Sequence, residues 1–292
     1  MVDGAGESSA RDVSPRPERR WVHYALFAAT FLTTTMAGAL QKGINPLTQP
    51  RGLVEGLPFS VTIMIILLGH EMGHYLTSRH HRVPATLPYF IPAPSIIGTF
   101  GAVIKMRGAI WDRRTLLDIG ASGPIVGFLL ALPALIAGFA LSPVVVNGNG
   151  TEGLVLGDSL IVILAGFLTK GNLPESANVV LHPVGFAGWL GMFVTSLNLL
   201  PVGQLDGGHI SKALFPNSSD TLAGVVHVGL FLMGFLFWKG WLIWALLLMF
   251  LGVRHPPVML DHIQLDPKRK KLGFAAIVIF FLTFVPAPFT VL

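Results

Sequence analysis

Long apolar runs alternate along this chain with short stretches that collect its charges, prolines and glycines. Trp21 to Leu40 is the first run long enough to cross a bilayer, and Pro58 to Ser78 is the second. Leu116 to Leu141, a run opening at Pro183, Thr221 to Trp238, Trp241 to Val253 and Leu272 to Val291 complete seven predicted spans, the sixth of them short. Two segments break the pattern. Residues 84–107 contain Pro84, Pro88, Pro92 and Pro94, which exclude a regular helix. Their apolar pieces, Leu87 to Ile91 and Ile96 to Ile104, are β-prone. Irregular backbone at membrane depth survives only where protein or water covers it. A re-entrant hairpin or loop entering and leaving on one side is therefore predicted, with a plain surface loop as the competing reading. Leu154 to Leu168 reads as a shorter interfacial helix interrupted by Asp158. The expected fold class is an all-α polytopic membrane protein, with about seven transmembrane helices and one re-entrant β-hairpin or loop.

Composition supports that class, since 52% of residues are hydrophobic and only 12% charged, against about 25% in a soluble domain. Residues 1–20 are polar and are expected to be a disordered cytoplasmic tail, followed by a single membrane domain over 21–292. Arg19-Arg20 ahead of an apolar run with Ala37-Gly38-Ala39 has the look of a signal peptide. The run is long for one, so an uncleaved helix is expected. With the N-terminus inside, sixteen of the 20 Lys and Arg fall on the cytoplasmic side, and the outside holds Lys42, Arg51, Lys170 and Lys239. The same placement accounts for the net charge of +5 without nucleic acid, with Lys268 to Lys271 as a headgroup anchor. The absence of cysteine removes disulfides, thiolate metal sites and cysteine nucleophiles.

Candidate chemistry sits inside the second span, at His70-Glu71-Met72-Gly73-His74. Residues i and i+4 share a helix face, so both imidazoles can meet one metal ion while Glu71 reaches a water beside it. This is the zinc pattern of two His ligands with a Glu as general base. Three ionisable groups in hydrocarbon are costly unless paired, hydrated or metal-bound. The competing reading is a pair of packed histidines with a snorkelling Glu. A catalytic zinc takes three protein ligands. Asp206 lies at the matching cytoplasmic depth, after helix-breaking Pro201, and Gly207-Gly208 is expected to leave room there for metal or substrate. It is the expected third ligand, with a helix N-cap as the alternative.

Other polar residues are assigned less closely. Asn198, placed about two turns deeper than Asp206, is open to three readings: holding substrate backbone, stabilising an oxyanion, or interhelical packing. His209 is either an orienting partner of Asp206 or a plain interfacial residue. His80 and His81 read as interfacial anchors. Asp118 is expected to complement a helix dipole, and Gly120, Gly123 and Gly127 to form a small-residue packing face. His182, His227, His255 and His262 receive no role.

The first motif, followed by Asn198-Leu-Leu-Pro201 and Leu205-Asp206-Gly207, resembles the site-2 proteases, intramembrane zinc metalloproteases. The resemblance covers about residues 58–215, taken as the catalytic core, and is nearest the branch of bacteria, cyanobacteria and plastids, with no room for PDZ or CBS domains. It implies one Zn2+ per chain held by His70, His74 and Asp206, with Glu71 activating water. It also implies cleavage of transmembrane protein substrates within the lipid bilayer; the charge-based topology above puts the active site toward the cytoplasm. A substrate strand that binds by edge pairing is placed on residues 96–104, centred on Gly98, Thr99, Phe100 and Gly101. The alternative function is a metal transporter or sensor using the same His/Asp set. A catalytically dead scaffold is disfavoured because the whole set is present.

Overall fold

A computed structural model describes residues 19–146, 154–174 and 177–291. The expected tail lies almost wholly outside them. Helix α1 (Arg20–Gln41) leads through a short 3-10 turn (Pro50–Gly56) into α2 (Leu57–His80), whose Pro58 stands in the first turn where its missing N–H costs nothing. Next come strands β1 (Tyr89–Pro92) and β2 (Thr99–Val103), paired antiparallel with a bulge between Phe90 and Pro92. Thus the proline-rich stretch does form a β-hairpin. Helix α3 (Arg113–Leu141) follows and runs through Pro124 and Pro133.

The chain continues through β3 (Val144–Val146), β4 (Leu154–Leu156), α4 (Leu160–Lys170), β5 (Ala177–Val179) and α5 (Pro183–Asn198). Helices α6 (Asp206–Leu214), α7 (Ser219–Leu236), α8 (Gly240–Leu251) and α9 (Pro267–Thr283) precede β6 (Phe289–Val291). The short strands pair as β3 with β5 and β4 with β6.

Among the described residues, three segments are long and apolar enough to cross a membrane: Pro50–His80, Arg113–Leu141 and Ser219–Leu236. They coincide with three of the seven expected spans. The other four expected spans are also helical, as α1, α5, α8 and α9, but are shorter or less apolar.

Two boundaries differ from expectation. Leu154–Leu156 is a strand, and α4 begins only after Asp158. The last helix ends at Thr283 because Pro286 and Pro288 follow, and a residue before proline is pushed toward extended backbone. That extended end is β6, which β4 needs as its partner.

Helix α3 is the hub. It packs along α2, α5 and α6, which it brings around one point. Gly138 of α3 and Gly188 of α5 meet the backbone of the facing helix so closely that a Cβ on either would collide with it. Around these contacts Phe59, Ile63, Leu135, Trp189 and Trp241 are fully buried. The buried indoles are satisfied, Trp189 Nε1 donating to the Gly157 carbonyl (2.9 Å) and Trp241 Nε1 to Pro286 (2.7 Å).

One end of the bundle is closed by charge. Asp118 was expected to serve the α3 dipole, but the N-cap is Asp112, which accepts from the N–H groups of Arg114 (2.8 Å) and Thr115 (3.0 Å). Asp118 instead ties α9 and the end of α2 to α3. It accepts from Arg269 Nη2 (2.7 Å) and pairs with His81 Nε2 (2.9 Å), so His81 is held inside a network rather than standing as a free anchor.

Burial works against the Asp112 charge. The N–H and hydroxyl of Thr115 and the N–H of Arg114 outweigh it and hold the carboxyl below the usual range. Its stabilisation is therefore full at neutral pH and fades as pH falls through that lowered pKa. Asp112→Ala is expected to destabilise the detergent-solubilised protein by about 1 kcal/mol at neutral pH. The gap from wild type in denaturation midpoints should shrink on acidification, and an equal deficit at all pH values would remove the cap assignment.

Candidate metal centre

His70, Glu71 and His74 lie on α2 where it faces α3 and α5, and all three are less than 8% exposed. Helix α5 ends at Asn198, and the turn through Pro201 and Gly203 leads the chain into Asp206, the first residue of α6. Asn198 and Asp206 are therefore not two turns of one helix. They stand on successive helix ends folded against the same pair of histidines. A carboxylate in the first turn of α6 also meets the positive end of its helix dipole.

The room expected beside Gly207-Gly208 is already filled. A Cβ on Gly207 would meet the Leu199 carbonyl, and one on Gly208 the carbonyls of Val202 and Gly203. These glycines let the turn fold tightly onto α6, which fixes Asp206.

Three ligand atoms converge. His70 Nε2 and His74 Nε2 are 3.2 Å apart, and each is 3.3 Å from Asp206 Oδ2. Around a tetrahedral zinc with ligands at about 2.0–2.1 Å, neighbouring ligand atoms stand roughly 3.3–3.4 Å apart, since a tetrahedron's edge is about 1.63 bond lengths. The triangle thus has the size of one face of a zinc tetrahedron. Among the described residues this is the one His/Cys/Asp/Glu group placed to hold a metal.

Protonation agrees with that fit. His74 Nδ1 is 2.8 Å from the Ile119 carbonyl, which can only accept, so Nδ1 carries the hydrogen and Nε2 offers its lone pair to the centre. Asn198 Nδ2 lies 3.3 Å from His70 Nε2, which puts the amide at the centre itself.

The glycines of α3 have a role that the sequence reading missed. A Cβ on Gly123 would fall on the His74 ring, and one on Gly127 would stand 3.0 Å from His70 Nδ1. On Gly120 it would stand 2.7 Å from His209 Cβ. Their spacing was visible as a packing face, but what packs against it includes the two ligand imidazoles.

His209 is buried one turn beyond Asp206, and its Nδ1 is 2.7 Å from Nε2 of His255, a residue given no role from sequence. His182 caps α5 by accepting from the Val184 N–H (3.3 Å). The hairpin approaches through β2, which packs on α2, the helix that carries Glu71. Thr99 is buried and bonds the Ile91 carbonyl (2.9 Å), whereas Phe100 is 75% exposed.

A helical bundle with two histidines and an aspartate at zinc spacing, and a buried glutamate on the same helix, defines a protein with a metal centre of hydrolase type. The family model described as peptidase family M50 matches residues 58–237. The chain belongs to that family, the site-2 proteases. It is 31% identical over 240 residues to a probable chloroplastic zinc metalloprotease, EGY1, of Arabidopsis thaliana, covering 79% of this chain and 43% of the relative. The rice (japonica) protein of the same name is 34% identical over 177 residues, 58% of this chain and 30% of the relative. EGY2 of Arabidopsis, likewise a probable zinc metalloprotease, is 28% identical over 239 residues, 81% of this chain and 43% of the relative. The chain thus spans less than half the length of these relatives. No solved structure matches it.

Gly123→Ala is expected to weaken zinc binding about 10- to 100-fold, as loss of an orienting neighbour does. Gly224→Ala, in open space on α7, should leave it unchanged. Competition with a chelator followed by elemental analysis reads both. Equal zinc retention would show that the α3 glycines do not shape the centre.

Proposed function

We propose that the chain is an intramembrane zinc metalloprotease that hydrolyses peptide bonds in or near transmembrane segments of membrane proteins. The observation that carries the reading is the triangle of His70, His74 and Asp206 at zinc-ligand spacing, with the buried Glu71 on the helix of both histidines, in an M50 family member. The relatives' names, as zinc metalloproteases, give the transporter alternative no support.

Each residue then has a task. His70, His74 and Asp206 hold one Zn2+, which when bound supplies Lewis acidity and lowers the pKa of a coordinated water toward about 7. Glu71 accepts the proton of the attacking water and returns it to the leaving amine. Asn198, whose amide stands at His70, donates to the substrate carbonyl as charge develops on its oxygen. Of Gly98, Thr99, Phe100 and Gly101, the last three lie on β2, which presents a strand edge to substrate that has unwound from its helix, while Gly98 is packed against α1. His209 supports the α6 turn that carries Asp206.

The membrane arrangement belongs to the same proposal. Residues 21–292 form one membrane domain with a catalytic core of about 58–215. Seven helices cross the bilayer and the β1–β2 hairpin is re-entrant. The N-terminus and the metal centre lie toward the cytoplasm, as the distribution of Lys and Arg supports.

Two experiments test this. Wild type is expected to hold one zinc and cleave a model transmembrane substrate, while Glu71→Gln holds zinc and loses cleavage by about 10⁴-fold, within the range set by loss of a general base. Absence of zinc from active protein would sink the metal centre, and undiminished cleavage by Glu71→Gln would remove its role as base. Because the chain has no cysteine, single cysteines report topology directly. Those at Arg107 and Lys268 should react with an impermeant thiol reagent from the cytoplasmic face, and those at Lys42 and Lys170 from the other. Any other pairing overturns the orientation.

A further inference from the structure

Helix α1 lies outside the segment that matches the family model, yet it grips the β1–β2 hairpin at four levels. His23 Nδ1 is 3.1 Å from the Pro88 carbonyl, and its ring lies 4.1 Å from that of Tyr89. Phe27 meets Phe90 edge to face at 5.0 Å. Thr33 Oγ1 donates to the Gly98 carbonyl at 2.6 Å, and Gln41 Nε2 to Ile96 at 2.9 Å. The fit at Gly98 is backbone to backbone. Its φ of +80° suits glycine, and a Cβ there would stand 2.5 Å from the Thr33 carbonyl and 2.6 Å from Thr34 Cα. The Thr33 hydroxyl has one hydrogen. The 3.1 Å contacts to the carbonyls of Ala29 and Thr30 on its own helix are longer than the bond across to the hairpin.

These contacts form one line of transmission. Helix α1 packs on β1, β1 pairs with β2, and β2 packs on α2, the helix that carries Glu71. Within a strand, a shift of one residue turns every side chain to the other face and moves the backbone bond presented to the catalytic base. The hairpin's height along α1 therefore decides which peptide bond of a paired substrate reaches Glu71.

We propose that α1 is the positioning helix for the substrate-binding hairpin, and that Thr33, through the Gly98 carbonyl, is the residue that fixes its height. The inference rests on the reading that β2 receives substrate. Thr33 touches neither metal nor substrate and acts only through the hairpin.

The test compares full-length wild type, Thr33→Val and Thr33→Ser in detergent with one model transmembrane substrate. Zinc content, kcat, KM and the cleavage position by mass spectrometry are measured. Affinity for the uncleaved substrate is measured for each in a Glu71→Gln background. Thr33→Val keeps the shape and loses the hydroxyl, so zinc and kcat should hold. KM and the dissociation constant should rise roughly three- to ten-fold, the effect of one lost hydrogen bond, and products should spread over neighbouring bonds. Thr33→Ser should restore affinity and a single cleavage position. Unchanged KM, affinity and cleavage position in Thr33→Val would overturn the proposal. So would a loss of zinc and kcat shared by Val and Ser, which marks a merely structural position. Failure of wild type to cleave would count against the protease reading itself, while the affinity series would still decide the role of Thr33.

Discussion

The whole arrangement depends on the cost of placing two imidazoles and two carboxylates inside an apolar bundle. Each such group loses its hydration there, and only a partner at bonding distance returns what is lost. His70, His74 and Asp206 meet that demand by converging within 3.3 Å of one another, a spacing that a divalent cation satisfies better than any proton arrangement can. A single proton between the two facing Nε2 atoms would serve one pair and leave the third contact short. The surrounding helices are positioned by this demand. Helix α2 supplies both imidazoles, the α6 turn supplies the carboxylate, and α3 must lie close enough to seal them from lipid while yielding the space their rings occupy.

That last condition explains why α3 carries its glycines where it does. Helices in a membrane gain no hydrophobic advantage from one another, so they associate through close backbone contact and small residues. In α3 the same small residues serve two purposes. Gly138 lets α5 lie against the backbone, whereas Gly123 and Gly127 leave volume for the rings of His74 and His70. The Ile119 carbonyl, one turn before Gly123, then fixes the His74 tautomer. Packing and ligand orientation are products of one helix surface.

How far the sequence revealed this follows from the physics of each feature. The helices were legible because apolar runs of this length have few other folds open to them. His70, Glu71 and His74 were legible because their spacing has meaning on a single helix. Asp206 could be matched to them only through depth, and it opens a new helix rather than ending the span of Asn198, because proline position alone does not show where the next helix begins. Gly120 and its neighbours declared a close contact without naming what makes it. The pairing of β4 with β6, the bond from His209 to His255, and the union of Asp118 with Arg269 join residues far apart in sequence. No local pattern encodes such partners. The end of α9 was the exception that could have been read, since Pro286 and Pro288 forbid the helix that hydropathy alone extended.

On the proposed function, substrate handling would follow from hydrogen bonding as directly as the metal centre does. A peptide bond in a transmembrane helix has its N–H and C=O satisfied within the helix and is shielded by neighbouring turns. Opening that helix in hydrocarbon exposes several such groups at once, each at a cost of several kcal/mol. Under that proposal the β1–β2 hairpin, packed on α2, offers replacement donors and acceptors along a strand edge, so the unwound segment need never be unpaired. The edge serves that purpose only if it is rigid, because a floppy strand would lose in its own ordering what it returns in hydrogen bonds. Helix α1, which bonds the hairpin at both its base and its tip, supplies the rigidity that a two-stranded ribbon lacks by itself.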